Sequence, residues 1–345
     1  MNACTTFVLK DSTYIIFGRN YDFDYGDGFI AINPRGIKKR AIIHGPYQPA
    51  MWISKFGSIT FNQIGIQAPM GGMNEKGLVI AQMALPQSEY PEIKEKPVVN
   101  QLEWIQYQLD MSASLEEVIE NLNKIAIMPI ATPVHYLICD SEGNAGIIEF
   151  LNGRTVILQG KDIRIPVCSN DTYNQSMKML KHYRTFGGQK EIPEQWTDVS
   201  DIIAVAATSI TSFKAEKNED PVTYGFNILK KVGSHERTQW STIYDIKNQN
   251  VYFVSQNNHN IRSINLKKID FSYMSGIKVS FINDESRQEN GKLDFQTFSK
   301  ESYYRYKMKL INWYATHIAG FPGIPESLIR KEVNQVIRPL SSERP

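Results

Sequence analysis

The sequence has little net charge, no long apolar run and few cysteines. Its 38 lysines and arginines nearly balance its 36 aspartates and glutamates, and the charges are scattered along the chain. That pattern argues against nucleic acid as a partner. No apolar run approaches the roughly 20 residues that a membrane-spanning helix needs, so the sequence predicts no transmembrane segment. The hydrophobic content of 42% nevertheless suffices for a substantial core.

The three cysteines are an odd number and do not suggest a disulfide framework. Cys139 and Cys168 lie in apolar, strand-like runs, where a buried small hydrophobic residue is the ordinary interpretation. Cys4 differs because it follows the small residue Ala3 near the N-terminus, which is typical of a processing junction. We therefore expect Met1 to Ala3 to be removed or to be the remnant of a leader. The junction favours a periplasmic or secreted protein, with a cytoplasmic one as the alternative.

Strand and helix patterns occur in blocks along the chain. The predicted strands are Thr5–Leu9, Tyr14–Phe17, Phe29–Ile32, Ser58–Ile66, Leu78–Met83, Val134–Cys139, Ala145–Leu151, Thr155–Leu158, Gln239–Tyr244 and Asn250–Ser255. The predicted helices are Asn100–Met111, Leu115–Ile125, Val199–Phe213, Tyr303–Ala315 and Pro325–Val336, and Asn283–Lys292 is a predicted exposed loop. Such blocks fit helices layered around antiparallel sheets better than a βαβ alternation. Because no clear linker divides the chain, we expect one domain over residues 1–345.

A cysteine at a free N-terminus combines a nucleophile and a base in one residue. Its α-amine, with an ordinary pKa near 8, can accept the thiol proton, so no separate histidine is needed. The six histidines show no spacing that pairs with a cysteine, and neither H-E-x-x-H nor C-x-x-C occurs. The sequence therefore predicts an enzyme without a metal or other cofactor.

The segment after the first predicted hairpin turn supplies two candidate partners for Cys4. If the hairpin forms, Arg19 and Asp22 return beside the cysteine. An arginine can lower the pKa of a thiol, and an aspartate can hold an ammonium group. Taken alone, the segment is more simply interpreted as an ordinary ion pair at a strand end.

These residues, with further strings along the chain, resemble the choloylglycine hydrolase family, which contains bile salt hydrolases and penicillin V acylases. The matching strings occur in order: Cys4-Thr-Thr, Gly18-Arg-Asn-x-Asp22, Asn33-Pro-Arg-Gly36, Ser54-Lys-Phe-Gly-Ser58, Gly72-Met-Asn-Glu-Lys-Gly-Leu78, Ser169-Asn170, Thr238–Asp245 and Leu266–Asp270. The string from Gly72 to Leu78 is specific, and it lies between the arginine and aspartate motif and the helices, as in the family.

The resemblance implies an α+β fold of the N-terminal nucleophile hydrolases, in which two stacked antiparallel sheets lie between helical layers (αββα). It implies that Cys4 is the nucleophile, that its amine is the base, and that Arg19 and Asp22 flank the pair. A homotetramer is also suggested by the resemblance alone.

The resemblance further implies that the side chain of Asn170 donates to the oxyanion, with a backbone N–H near Ala84 as the second donor. By residue type alone, Asn170 would be interpreted as a turn asparagine. Asp171 and Asn174 are alternatives to it, because the loop is shortened in this chain.

Two departures from the family pattern concern the substrate. Ala84 stands where bile salt hydrolases have an asparagine and penicillin V acylases usually a tyrosine, and Asp201 stands where an arginine is expected. Arg184 is a candidate replacement for that arginine, although a solvated helix arginine is the simpler interpretation. Both departures weigh against bile salt hydrolysis more than against amide hydrolysis.

The sequence thus predicts hydrolysis of a linear amide in an N-acyl substrate through a thioester on Cys4. Conjugated bile salts, penicillin V and N-acyl homoserine lactones are the candidate small-molecule substrates. The alternative is a catalytically inactive binding protein, or a lipoprotein anchored through Cys4.

Overall fold

The computed structural model describes residues 4–43, 45–214, 220–283, 293–318 and 323–337. The predicted removal of Met1 to Ala3 and most of the predicted loop Asn283–Lys292 lie outside these ranges. In them, the strands are β1 (Thr5–Lys10), β2 (Ile15–Asp22), β3 (Phe29–Asn33), β4 (Lys38–Arg40), β5 (Met51–Ile53), β6 (Ser58–Gly65), β7 (Ala68–Asn74), β8 (Val79–Ala84), β9 (Val98–Asn100), β10 (Ala126–Met128), β11 (Val134–Cys139), β12 (Ala145–Leu151), β13 (Arg154–Gln159), β14 (Val167–Cys168), β15 (Thr238–Asp245), β16 (Asn250–Ser255), β17 (Asn258–Asn265), β18 (Lys278–Phe281) and β19 (Gln296–Thr297).

The α-helices in the same ranges are α1 (Glu103–Met111), α2 (Leu115–Asn121), α3 (Tyr173–Leu180), α4 (Val199–Ser212), α5 (Pro221–Val232), α6 (Lys300–His317) and α7 (Glu326–Ile337). Short polar side chains begin several of them by accepting a backbone N–H of the first turn, as Ser114 does for α2 and Asp198 for α4. None of these helices is both long and apolar enough to cross a membrane.

Two large antiparallel sheets form the centre of the molecule. The first has six strands in the order β14-β1-β2-β15-β16-β17, and the second has nine in the order β13-β12-β11-β8-β7-β6-β3-β18-β19. One hydrophobic cluster contains side chains of both sheets, among them Phe17 and Trp240 from the first and Phe61 and Leu137 from the second. The sheets therefore stack face to face over a shared core.

Helices cover the outer face of each sheet. Apolar side chains of α4 and α5 pack on the first sheet, as Ile203 and Leu229 do in one cluster with Ile243. Those of α1 and α2 pack on the second sheet, and α6 and α7 pack beside β3 and β18 of that sheet. The order helix, sheet, sheet, helix confirms the predicted αββα architecture and its α+β class.

Most predicted elements occur where the sequence places them, with several differences. The strand predicted at Tyr14–Phe17 continues to Asp22, and the helix predicted at Leu115–Ile125 ends at Asn121. Several elements were not predicted, among them α3, α5, β7 and β17. The Gly-Gly pair in β7 lacks the alternation that marks a strand, and α5 follows a polar stretch, with its start set by the cap Asp220.

Candidate active site

Cys4 lies immediately before β1 and belongs to the hydrophobic cluster between the two sheets, with 5% of its surface exposed. β1 and β2 pair antiparallel with Thr5 opposite Asn20, so the end of β2 returns beside the cysteine. The Cys4 sulfur lies 3.5 Å from the backbone nitrogen of Asp22 and 3.7 Å from its carbonyl oxygen. The first hairpin alone thus brings two predicted site residues together.

Arg19 extends from β2 across the space between the sheets and is 1% exposed. Its guanidinium donates to the carbonyl of Met70 on β7 and, at 3.1 Å, to that of Gln82 on β8. A Cβ at Gly71 would lie 2.9 Å from Arg19 Nη1 and 3.0 Å from the Ile80 carbonyl oxygen, so a side chain there would displace the guanidinium. Among the described residues, Arg19 Nε has no hydrogen-bond partner. The second sheet therefore fixes this cation mainly through backbone carbonyls.

Asp22 is a buried carboxyl group at the end of β2, with 4% of its surface exposed. Its Oδ1 accepts a hydrogen bond from Thr238 Oγ1 at 2.7 Å. Burial raises the pKa of Asp22 to about 7, although Thr238, Arg237 and Arg19 oppose that increase. Arg237 forms its ion pair with Asp24 instead. The carboxyl group is therefore short of positive charge for its degree of burial.

The Cys4 thiol is poorly reactive in this environment as long as Ala3 precedes it. Burial raises its pKa to about 11, the negative charge of Asp22 adds to the increase, and Arg19 opposes it. A thiol with such a pKa is almost fully protonated near pH 7, and the thiolate is the nucleophile. A reaction at this sulfur would therefore require a base or a further cation beside it.

Asn170 lies in the loop between β14 and α3, where it is half-buried. Its Nδ2 donates to the carbonyl of Ala84 at 2.7 Å, and its Oδ1 has no partner in the described part of the chain. The preceding residue, Ser169, donates from Oγ to the carbonyl of Cys4 at 2.9 Å. This loop therefore joins both predicted oxyanion donors to the backbone of the nucleophile.

The structure gives no contact between the Cys4 sulfur and the three other candidates. Asp171 accepts from Gln87 at 2.9 Å, and Asn174 is exposed on α3. Arg184 is 67% exposed in the turn after α3 and forms an ion pair with Glu191. The structure thus places Asn174 and Arg184 on the solvent side of the helical layer, not in the cluster around Cys4.

Asp201, at the position of the expected arginine, is held by hydrogen bonds to neighbouring side chains. Its buried carboxylate accepts from Tyr183 at 2.6 Å, from Lys190 at 2.7 Å and from Thr197 Oγ1 at 2.8 Å. Burial raises its pKa, but the hydrogen bonds from Lys190 and Tyr183 outweigh this and lower it below its ordinary value. Asp201 therefore stabilises the first turn of α4.

The specific string between Gly72 and Leu78 builds a turn and not a reactive group. Asn74 Oδ1 accepts the backbone N–H groups of Lys76 and Leu78, each at 3.0 Å, and its Nδ2 donates to carbonyls at the end of α1. Gly77 has a φ of +84°, which favours glycine. The string connects β7 to β8 and ties both to α1.

Sequence reasoning missed several groups of the site. Thr238, the partner of Asp22, begins one of the matching strings, and that position was its only signal. The carbonyl acceptors of Arg19 left no signal, because a backbone carbonyl is the same whatever the side chain.

Comparisons with known proteins agree with this architecture. Residues 4–279 match the model of a family described as linear amide C–N hydrolases, choloylglycine hydrolase family. The chain is 26% identical over 319 residues to a penicillin V acylase of Pectobacterium atrosepticum, which covers 79% of this chain and 84% of that protein.

Solved structures are similar as well. The penicillin V acylase from Agrobacterium tumefaciens matches with a TM-score of 0.68 and 26% identity, over 80% of this chain and 90% of that one. A variant of the conjugated bile acid hydrolase from Clostridium perfringens matches with a TM-score of 0.64 and 20% identity, over 86% and 97%, and shows the same fold. Because the family model spans most of the sequence, this chain belongs to the choloylglycine hydrolase family and is an amidase that acts on linear amide C–N bonds.

Proposed function

We propose that this amidase hydrolyses N-acyl amides through a thioester on Cys4, once Cys4 is the first residue of the chain. The observation that carries the proposal is the position of the Cys4 sulfur, 3.5 Å from the backbone of Asp22 and beside the buried cation of Arg19. A nucleophile, a carboxylate and a cation thus meet in one largely water-excluded place.

Liberating the amine of Cys4 supplies the base that the site lacks. An α-ammonium would lie close to Asp22, where positive charge lowers the pKa of the carboxyl group and that of the thiol. The two elevated values, about 7 for Asp22 and about 11 for Cys4, belong to a chain in which Ala3 still acylates that nitrogen. Processing therefore converts an inert thiol into an activated one.

The reaction then follows in two steps. The α-amine takes the thiol proton, the sulfur attacks the amide carbonyl carbon, and a C–S bond forms. Asn170 Nδ2 and a backbone N–H near Ala84 donate to the resulting oxyanion. The C–N bond breaks as the ammonium protonates the leaving nitrogen, and water then hydrolyses the thioester to a carboxylic acid and free Cys4.

Aromatic side chains beside the nucleophile favour an aromatic or apolar acyl group. The Tyr21 ring stacks on Trp240 at 4.2 Å between centroids and on Phe23 at 6.1 Å. Trp313 and Tyr314 of α6 reach Phe23 at 6.2 and 6.4 Å. Tyr21 and Trp240 are buried, but Phe23, Trp313 and Tyr314 are partly exposed and offer aromatic rings for a phenoxyacetyl group, so penicillin V is the first substrate to test. Conjugated bile salts and N-acyl homoserine lactones follow.

A parallel assay of these three substrate classes tests the proposal. The protein is first shown by intact mass to begin with Cys4, and Cys4→Ala serves as the control. We expect Cys4-dependent release of the amine from at least one class, with penicillin V turned over fastest. No turnover of any class by correctly processed protein would contradict the proposal. A diacylglyceryl mass on Cys4 of the native protein would instead indicate a lipid anchor.

A further inference from the structure

A buried pair of side chains outside the Cys4 cluster is connected to it through the Asn170 loop. His135 lies on β11 and Glu149 on the neighbouring strand β12, and both are 0% exposed. His135 Nδ1 lies 3.2 Å from Glu149 Oε1, and His135 Nε2 lies 2.6 Å from the carbonyl oxygen of Ser169. The pair therefore bridges the second sheet and the loop that carries Asn170.

Hydrogen-bonding rules decide where the protons of this pair lie. A carbonyl oxygen only accepts, so the contact with Ser169 requires a proton on His135 Nε2. Without another proton between Nδ1 and Glu149 Oε1, two lone pairs would face each other. The same Oε1 accepts the backbone N–H of Tyr173 at 2.7 Å. The pair thus holds the loop at both ends, at Ser169 and at the start of α3.

The held loop also contacts the backbone carbonyls of Cys4 and Ala84. Ser169 Oγ donates to the Cys4 carbonyl at 2.9 Å, and Asn170 Nδ2 donates to the Ala84 carbonyl at 2.7 Å. Val134, which precedes the histidine, pairs with Ala84 across β11 and β8. A shift of the Ser169 carbonyl would therefore disturb both groups on which acyl transfer depends.

We propose that His135 and Glu149 are positioning residues, which hold the Ser169–Asn170 segment against the backbone of Cys4 and Ala84 and so keep the Asn170 side chain in place for acyl transfer. The inference rests on the proposed function, because it takes Asn170 as an oxyanion donor. Such donors act by being in place before charge develops. A misplacement of about 1 Å at a reacting centre can cost on the order of 100-fold in rate.

Two amide substitutions separate the effects of the two hydrogen bonds that His135 makes, one at Nδ1 and one at Nε2. In His135→Gln, the amide nitrogen can occupy the place of Nε2 and still donate to Ser169. In His135→Asn, the shorter amide reaches the place of Nδ1 and loses the Ser169 contact. Both variants put a neutral amide of similar polarity into the same buried space, so each serves as the matched control of the other.

An activated ester, p-nitrophenyl phenoxyacetate, measures acyl transfer without a known amide substrate. The α-amine takes the thiol proton, the sulfur attacks the ester carbonyl, the C–S bond forms, and the bond to the aryl oxygen breaks to release p-nitrophenolate. Water then hydrolyses the thioester. The rate above that of Cys4→Ala is the rate at Cys4. If the protein cleaves the ester but none of the amides, the proposed substrate class is wrong, and the inference about His135 can still be tested.

We expect His135→Asn to lower kcat for the ester about 50- to 100-fold with KM changed less than about threefold. His135→Gln keeps the Ser169 contact but loses that with Glu149, so its kcat should fall by no more than about tenfold. Asp110→Asn is the control for a general loss of stability. It breaks the buried ion pair with Lys39, which has no described contact with Cys4, and it should leave kcat unchanged. Equal losses in both histidine variants, unaltered kcat in His135→Asn, or no Cys4-dependent ester turnover in the unaltered protein would overturn the inference.

Glu149→Gln provides a second variant should His135→Asn not fold. It removes the proton that the pair shares, while its oxygen can still accept from Tyr173. We expect a loss in kcat of about five- to tenfold, because the histidine ring is then held at one end only. Unaltered kcat in folded Glu149→Gln would likewise overturn the inference.

Discussion

Two buried clusters of charged side chains use similar residues in opposite ways. In the cluster around Asp110, Lys39 Nζ donates to both carboxylate oxygens, at 2.8 and 3.1 Å. Trp52 Nε1 adds a bond of 2.7 Å and Gln106 Nε2 one of 2.8 Å. Lys39 and Asp110 are 2% and 0% exposed at their side chains, and these four hydrogen bonds hold the pair together, although burial still raises the pKa of Asp110.

The cluster around Cys4 is buried except at Asn170, and several of its polar groups lack partners. Arg19 Nε and Asn170 Oδ1 have no hydrogen-bond partner within the described ranges, and burial holds the pKa of Asp22 at about 7. Buried polar groups normally find partners, and exceptions concentrate where a protein binds or reacts. Asp110 differs in having its own buried counter-ion, Lys39. We therefore expect the Asp110 cluster to maintain the structure and the Cys4 cluster to receive a further group during the proposed reaction.

Loss of the nucleophile has the largest expected effect. Cys4→Ala, and equally a chain that retains Met1 to Ala3, should lower kcat by at least roughly 10⁴-fold, because the first lacks the sulfur and the second lacks the base. Steady-state turnover of the best substrate of the panel measures this. Unaltered turnover by the unprocessed chain would contradict the role of the Cys4 amine.

Matched substitutions at the two buried aspartates compare the clusters directly. Asp22→Asn should lower kcat about 10²- to 10³-fold, since the ammonium of Cys4 loses the charge that holds it. Asp110→Asn should keep kcat but lower the free energy of unfolding by about 3–5 kcal/mol, because Lys39 is left buried without its counter-charge.

Denaturant unfolding and turnover of both variants separate these outcomes. Loss of stability without loss of kcat in Asp22→Asn, or the reverse in Asp110→Asn, would exchange the roles of the two clusters.

The pH dependence of the free energy of unfolding tests whether Asp22 lacks a positively charged partner before processing. In the unprocessed Cys4→Ala chain, Asp22 has a folded pKa of about 7 and an unfolded one near 4. The folded state therefore binds the extra proton, and stability falls as the pH rises from about 4 to about 7, by up to roughly 4 kcal/mol from this group. Glu103, whose pKa burial also raises to about 7, adds a background of the same sign.

Unfolding at several pH values with and without Asp22→Asn isolates the contribution of Asp22. The substitution should flatten the profile and raise stability near pH 8. Identical profiles would show that the carboxyl group is already compensated, and the contrast with Asp110 would fail.

The smallest expected effect is the difference in kcat between substitutions of Asn170 and of the nearby Asn174. Asn170→Ala should lower kcat about 100-fold, as the loss of one oxyanion donor does. Asn174→Ala and Arg184→Ala should leave kcat within about twofold, because both side chains are exposed on the helical layer. Equal effects at Asn170 and Asn174 would mean that the Ala84 contact does not identify the donor.

Much of the fold follows from local sequence patterns. The strands of both sheets alternate or run in apolar stretches that end at turn residues, and helix caps such as Ser114 are readable in the sequence. Predictions failed where local preference is weak. The Gly-Gly segment of β7 is a strand because β6 and β8 pair with it on both sides.

The sequence by itself determined that Cys4, Arg19 and Asp22 would meet, because a tight hairpin fixes their register within a few residues. Only the tertiary structure decided the rest of the site. Asn170 approaches from a loop more than a hundred residues away, and the acceptors of Arg19 are backbone carbonyls on another sheet. Contacts between distant segments depend on how the layers stack, and a backbone carbonyl carries no mark in the sequence.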